Sequence, residues 1–251
     1  MKIRVPHIEW SEAESAPPLE PGTAHVWQLP MEASESQLRD HVQRLSAEEQ
    51  AQAYRFVRPE LTRRYITRRS LLRVVLEQYL RPLGMPLAFR FNNFGKPYLD
   101  GASPAARILF NTSQTHEMAL MAVCREHEIG IDVEYLRPIS EFRQLGKRFF
   151  TDAEQQEILS MPEEKQLHAF FWIWTGKEAI LKACGIGIST GLKRASIGIR
   201  ENGPHLDRLD RDLGDVRNWE LRGFLPHEDY QATLATHSSI HQLQFLKCRV
   251  G

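Results

Sequence analysis

The chain has 251 residues, 42% of them hydrophobic and 25% charged, with 32 basic side chains against 32 acidic ones and a formal net charge of zero. That length is long for one core and suits one large domain or two small ones, and the charge balance argues against a general nucleic-acid binder, which would be basic overall. No apolar run reaches the length of a membrane span, Met1 to Pro6 shows no secretory signal, and Cys124, Cys184 and Cys248 form no C-x-x-C pair, so a soluble protein of the reducing cytoplasm is predicted.

Residues 11–22, acidic and proline-rich, read as a surface loop, and His25 to Leu29 suits a strand. Ser46 and Glu49 form a capping box, starting a helix that stops before Pro59. Pro59 suits the first turn of a second helix running to about Arg81, ended by Pro82 and Gly84. Along it Tyr65, Leu72, Val75, Leu76, Tyr79 and Leu80 recur at helical spacing and should face the core. Arg63, Arg64, Arg68, Arg69 and Arg73 crowd the same helix, and most suit a solvated face opposite the apolar stripe. Short strands are predicted near 87–91, 107–110, 117–124 and 129–135. In the last, Ile129, Ile131 and Val133 alternate inward, which sends Asp132 and Glu134 to the other face.

Thr151 and Glu154 make a further capping box, and Pro162 opens a longer helix that Gly185 ends in the left-handed conformation. Gly176 inside that helix costs about 1 kcal/mol against alanine, so something should approach the backbone closely there. Phe170, Phe171 and Trp172 read as core, Trp174 as packing beneath Glu178, and His168 as structural. Strands near 195–200, 218–225, 230–236 and 242–249 complete the second half. Each half therefore reads as helices plus an antiparallel meander, although no sequence repeat is visible.

The chemistry concentrates in two segments. Gly130-Ile131-Asp132-Val133-Glu134 sets two carboxylates on one strand face, about 6.6 Å apart along the chain. At an effective dielectric near 20 they repel by roughly 2.5 kcal/mol, which a bound cation would turn into attraction. Trp174 through Gly185 then carries a third carboxylate, Glu178, between Lys177 and Lys182. Glu178 and Lys182 share a helix face with Trp174 one turn earlier, while Lys177 points about a quarter turn away. The three acids offer oxygen only, with no His or Cys at ligand spacing beside them, which favours Mg²⁺. A lysine is a point-charge partner for phosphate. Alone, D-x-E is an ordinary strand edge and K-E-x-x-x-K an ordinary helix pair. In this order, with glycines at the strand and helix ends, they point to a hard cation holding a phosphorylated ligand.

These segments resemble the signature of the 4′-phosphopantetheinyl transferases of the surfactin-synthetase-activating type, (V/I)G(I/V)DxE followed by (F/W)xxxKExxxKxxG. Asn92 to Pro97 is similar to the family's GKP segment, Phe110 to Thr115 to its FNxSHS segment, and Arg148-Phe149-Phe150-Thr151 with Glu154 to its RFFxxxE segment. Arg69-Ser70-Leu71-Leu72 falls where the family has an arginine-bearing helix, so the likeness covers roughly residues 46–200. Gln114 departs from the pattern, standing where the family has a histidine that contacts the coenzyme A diphosphate. Glutamine donates a hydrogen bond but no charge, and His116, on the same face if the segment is extended, is expected to substitute for it.

The resemblance implies an α+β fold of two similar subdomains related by a pseudo-twofold axis, residues 1–127 and 128–251, each with helices packed on a small antiparallel sheet and with the metal-binding motifs at their interface. It implies transfer of 4′-phosphopantetheine from coenzyme A to a serine of an apo acyl or peptidyl carrier protein. Asp132, Glu134 and Glu178 would hold Mg²⁺, and Glu178 and Lys182 would be catalytic, Glu178 as general base. Arg69, at the 3′-phosphate, Lys96, at the adenosine end, Ser113, Gln114, Lys177 and Lys182 would contact the coenzyme. The partners would be coenzyme A and the carrier, with no nucleic acid and no membrane, and the chain a monomer completing its own cleft. Two other functions suit the same residues: a Mg²⁺-dependent phosphodiesterase or nuclease, and a non-catalytic coenzyme A-binding protein. Neutral net charge counts against a nuclease, and the intact carboxylates and lysines count against lost activity.

Overall fold

The computed structural model describes residues 4–100, 107–187 and 191–249. The first half runs β1 (Ser11–Ala13), β2 (Thr23–Leu29), α1 (Glu35–Arg44), α2 (Ala47–Ala53), α3 (Pro59–Leu80), β3 (Phe89–Phe91), β4 (Pro97–Leu99), β5 (Ile108–Thr115) and β6 (Met118–Arg125). The second runs β7 (Ile129–Tyr135), α4 (Phe142–Phe149), α5 (Asp152–Ser160), α6 (Glu163–Ala183), β8 (Ala195–Arg200), β9 (Gly203–Leu209), β10 (Trp219–His227), β11 (Tyr230–His237) and β12 (Gln242–Cys248).

Local chemistry sets the helix starts. Ser46 with Glu49, and Thr151 with Glu154, form the predicted capping boxes, and Pro59 stands in the first turn of α3. α1 has no counterpart among the predicted helices, although Ser34 and Gln37 carry a capping box of their own. Gly185 follows α6 at φ +72°, with the Ile186 N–H returning to the Leu181 carbonyl. On α3, Leu72, Val75, Leu76, Tyr79 and Leu80 are buried against Trp27, Phe110 and Met121 of the sheet. Tyr65 is half-buried and joins a smaller cluster around Leu45, Ala53 and Ile66. No helix among the described residues is long and apolar enough to cross a membrane.

The architecture is a repeat that the letters do not show. β2 to β6 and β7 to β11 follow one plan: a strand, three helices of which the last is long, and two hairpins. The long helices have 22 and 21 residues. The core strands also match, in order β2-β6-β5 in one half and β7-β11-β10 in the other.

The chain ends cross between the repeats. β12, predicted in the second meander, inserts between β1 and β2 of the first half, parallel to both. The first sheet is therefore mixed rather than antiparallel, in order β1-β12-β2-β6-β5, and β1 lies within the predicted loop. In return the Arg4 N–H bonds the Glu201 carbonyl, and Ile8 and Leu225 are joined through backbone hydrogen bonds. A parallel partner brought from the far end of the chain leaves no turn signal in the sequence.

The two sheets meet at the edges of β5 and β7. Side chains bridge them: the N–H groups of Ile131 and Val133 donate to Asn111 Oδ1 at 2.9 Å and to Ser113 Oγ at 3.4 Å. Leu109, Leu120, Ile129, Ile131, Val133, Phe224 and Leu234 fill the core beneath this seam. On the other face of β7, α6 packs so closely that a Cβ on Gly130 would lie 2.0 Å from the Ala179 carbonyl oxygen. Gly176 of α6 is close to Ile197 of β8, where an added Cβ would meet its Cγ2 at 3.1 Å.

Candidate active site

Strand alternation turns Gly130, Asp132 and Glu134 toward α6, and helical spacing turns Trp174, Glu178 and Lys182 toward them. Lys182 Nζ donates to Asp132 Oδ1 at 2.6 Å and to Ser113 Oγ at 3.0 Å. The Ser113 hydroxyl donates to Asp132 Oδ1 at 2.8 Å. Trp174, predicted only to pack, stacks on Phe170 and also donates a side-chain hydrogen bond to Glu134. Beside them Thr175 bonds Thr233 through their hydroxyls at 2.8 Å, which ties α6 to the sheet.

The electrostatics are those of crowded acids. Burial, reinforced by the Asp132 charge, pushes Glu134 up to about 7 and Glu178 higher still, with Lys182 opposing both. Asp132 is buried, and its Oδ2 has no hydrogen-bond partner. An orphaned carboxylate oxygen among acids with raised pKa values fits a site for a cation. The all-oxygen donor set fits a hard one. Lys182 supplies a compensating charge among them. Among the described residues, the only group of three or more His, Cys, Asp or Glu side chains whose ligand atoms all lie within 4.8 Å of one another is exposed His227, Glu228 and Asp229; Asp132, Glu134 and Glu178 are drawn together less tightly.

Lys177 does not reach this site. It is fully buried, with Nζ 2.8 Å from Glu154 Oε1 and hydrogen bonds to the Leu192 and Ala195 carbonyls. Glu154 accepts further bonds from the N–H groups of Ile197 and Thr151. The quarter turn that separates Lys177 from Glu178 sends it into the core of the second repeat, so its predicted coenzyme contact is corrected to a structural ion pair.

The other predicted contacts surround the acids unevenly. Lys96 sits in the turn from Asn92 to Pro97, where Nζ donates to Glu128 at 2.8 Å and to the Ala183 carbonyl at 3.0 Å. Asn92 bonds the Gly185 carbonyl, so this turn clamps the end of α6. Arg69 pairs with Glu49, as does Arg73. Both arginines line a cavity of about 630 Å³, with Arg68, Phe89 and Phe91 on its walls and Ser113 joining it to the acid cluster. Gln114 is exposed on the strand face of Thr112, which lines the same cavity. His116 does not continue that strand face. It turns at φ +47°, its ring rests on Tyr135 at 4.3 Å, and the extended geometry its substitution for the family histidine required is absent.

Asn111, the polar role of Trp174 and the position of Arg68 have no counterpart in the predicted site. The first lies in the Phe110–Thr115 motif and carried a readable signal; the other two depend on what packs against them.

Acids from two distant segments, a lysine between them and an arginine-lined cavity alongside define a group-transfer enzyme for an anionic substrate. Residues 128–235 match the profile of the 4′-phosphopantetheinyl transferase superfamily. The chain is 37% identical to the 4′-phosphopantetheinyl transferase HetI of Nostoc sp. over 84% of its own length and 86% of that protein. It is 33% identical to psf-1 of Bacillus pumilus over 66% of this chain and 68% of that one, and 28% identical to Sfp of Bacillus subtilis over 63% and 68%. The chain belongs to the 4′-phosphopantetheinyl transferase family and is an enzyme of that class.

Proposed function

We propose that the enzyme moves the 4′-phosphopantetheine arm of coenzyme A onto a serine of an apo acyl or peptidyl carrier protein, as a cytoplasmic monomer. The observation that carries this reading is the convergence of Asp132, Glu178 and Lys182, from segments far apart in the chain, beside the cavity that Ser113 borders. Asp132, Glu134 and Glu178 would hold Mg²⁺, which when bound supplies positive charge to the diphosphate oxygens.

The chain's own residues do the rest. The cavity takes the nucleotide end, with Ser113 and exposed Gln114 beside its phosphates. Lys182 leaves Asp132 for the phosphate that departs and stabilises its developing charge. The carrier serine oxygen bonds to the β-phosphorus while the bond from that phosphorus to the bridging oxygen breaks. Adenosine 3′,5′-bisphosphate leaves, and the serine proton passes to the Glu178 carboxylate. Trp174 orients Glu134 through its indole N–H. Positioning and charge neutralisation supply most of the acceleration.

Mixing the enzyme with Mg²⁺, coenzyme A and an apo carrier tests this. The carrier should gain the mass of one phosphopantetheine, and Glu178→Gln should not support the gain. Cleavage of the coenzyme with an unmodified carrier would instead identify a phosphodiesterase, and binding without turnover a coenzyme A-binding protein.

A further inference from the structure

The seam between the repeats is closed by side chains rather than by a ladder. β5 and β7 lie against each other, yet each is the edge strand of its own sheet, and no ladder pairs them among the described residues. Two N–H groups of β7 reach toward β5 and find side-chain oxygens there. Ile131 donates to Asn111 Oδ1 at 2.9 Å, and Val133 to Ser113 Oγ at 3.4 Å. Residues 111 and 113 of one strand thus answer residues 131 and 133 of the other, in parallel. Asn111 is buried, and an N–H left there without an acceptor is costly, so these oxygens hold the edges together. They also hold them apart. Direct pairing would set the strands about 4.8 Å from each other, and a side chain standing between two backbones does not allow that approach.

The gap is where the acids and the lysine meet. Lys182 enters it from α6, and its Nζ donates to Ser113 Oγ at 3.0 Å, to the Ile131 carbonyl at 3.3 Å and to Asp132 Oδ1 at 2.6 Å. Asp132 is the residue between the two donating N–H groups, so its place at the seam follows from the bonds on either side. The bond on the Ser113 side is the longer, and that hydroxyl also serves Asp132 and Lys182. The bond to Asn111 is the firmer of the two. Asparagine suits the position because its carbonyl oxygen accepts as a backbone carbonyl would and carries no charge. Aspartate would accept as well, but it would add an anion beside the strand that already carries Asp132 and Glu134.

We infer that Asn111 is a positioning residue for the transfer: its carboxamide oxygen, through the Ile131 N–H, sets the width of the β5–β7 gap and with it the geometry of Ser113, Asp132 and Lys182. This rests on the transferase reading above. Asn111 itself touches neither the coenzyme nor the reacting atoms.

Transfer kinetics at saturating apo carrier, with kcat taken per molecule that binds coenzyme A, test the inference. Asn111→Ala removes the acceptor. It should lower kcat by about a hundredfold, the scale of a small misplacement of reacting groups, while KM for coenzyme A stays within about twofold. Asn111→Ser is one oxygen larger and restores an acceptor of the kind Ser113 already supplies two residues along, so it should recover about tenfold of the loss. If Asn111→Ala does not fold, Asn111→Ser carries the comparison against the unaltered enzyme, with kcat about tenfold lower at unchanged KM. An unchanged kcat would mean that the gap keeps its width without this bond. A rise in KM that accounts for the whole loss would mean that Asn111 meets the coenzyme. Equal losses in the alanine and serine variants would mean that the accepting oxygen is not what matters. Each of these overturns the inference and leaves the transferase reading intact. Failure of the unaltered protein to modify any apo carrier sinks the reading and this inference with it.

Discussion

The two repeats use one device with opposite results. In each, a capping-box glutamate receives a cation from the long helix: Glu49 from Arg69 and Arg73, Glu154 from Lys177. In the second repeat the side chains of Lys177 and Glu154 are 0% and 1% exposed, sealed beside Phe150 and bonded to β8. In the first repeat the pairs form a wall of a cavity, and Phe89 lies 4.4 Å from the Arg69 guanidinium. The closed copy stiffens the half that carries Glu178. The open copy leaves charge where a ligand can use it. Burial, rather than residue type, separates a structural ion pair from a binding surface.

The contrast can be broken at several points. The largest effect should come between the repeats: Asp132→Asn should lower transfer by about a thousandfold or more, since it removes the proposed central metal ligand and the Lys182 partner, while the melting temperature holds. A melting temperature that collapses with the activity would make Asp132 structural. Next, Lys177→Met strands Glu154 in the core and should cost about 3–5 kcal/mol in urea unfolding. Glu49→Gln, beside open space, should cost only about 1–2 kcal/mol. Equal costs would erase the distinction drawn above.

Acid should act on the first repeat before the second. Buried His25, bonded to the Tyr79 hydroxyl at 2.7 Å, has its pKa lowered to about 4 by desolvation. The unfolded chain takes up this proton first, so the contribution is complete above about pH 6.5 and lost as the pH falls toward 4, by about 3 kcal/mol. Urea midpoints measured across that window, with His25→Gln as the comparison, check the size. The raised Glu134 and Glu178 work in the other direction, since the fold holds their protons more tightly than the unfolded chain does. The smallest signal follows from them: Mg²⁺ binding near pH 7 should release about one proton, with affinity rising as the pH climbs through 7. Calorimetry in buffers of different ionisation enthalpy reads this directly, and binding without proton release would remove these acids from the ligand set.

Much of this was legible in the linear chain because its signals are local. The capping boxes at Ser46 and Thr151, the stop at Gly185 and the alternation that turns Asp132 and Glu134 together all depend on neighbours a few residues away. β1 and β12 were not legible as partners, since their pairing joins opposite ends of the chain. Trp174 showed its aromatic body but not its hydrogen bond, which exists only because β7 lies beside it.

By itself the amino-acid sequence determined the acids, the lysine a helical turn from Glu178, and Gly176 as a point of close approach to α6, because spacing on a strand or helix specifies which side chains share a face. Only the tertiary structure decided that Lys182 meets Asp132 while Lys177 is consumed by Glu154, and that the Arg68 Nε is buried without a hydrogen-bond partner. Those outcomes depend on what distant segments bring to each face, and solvent exclusion there sets how much each charge is worth.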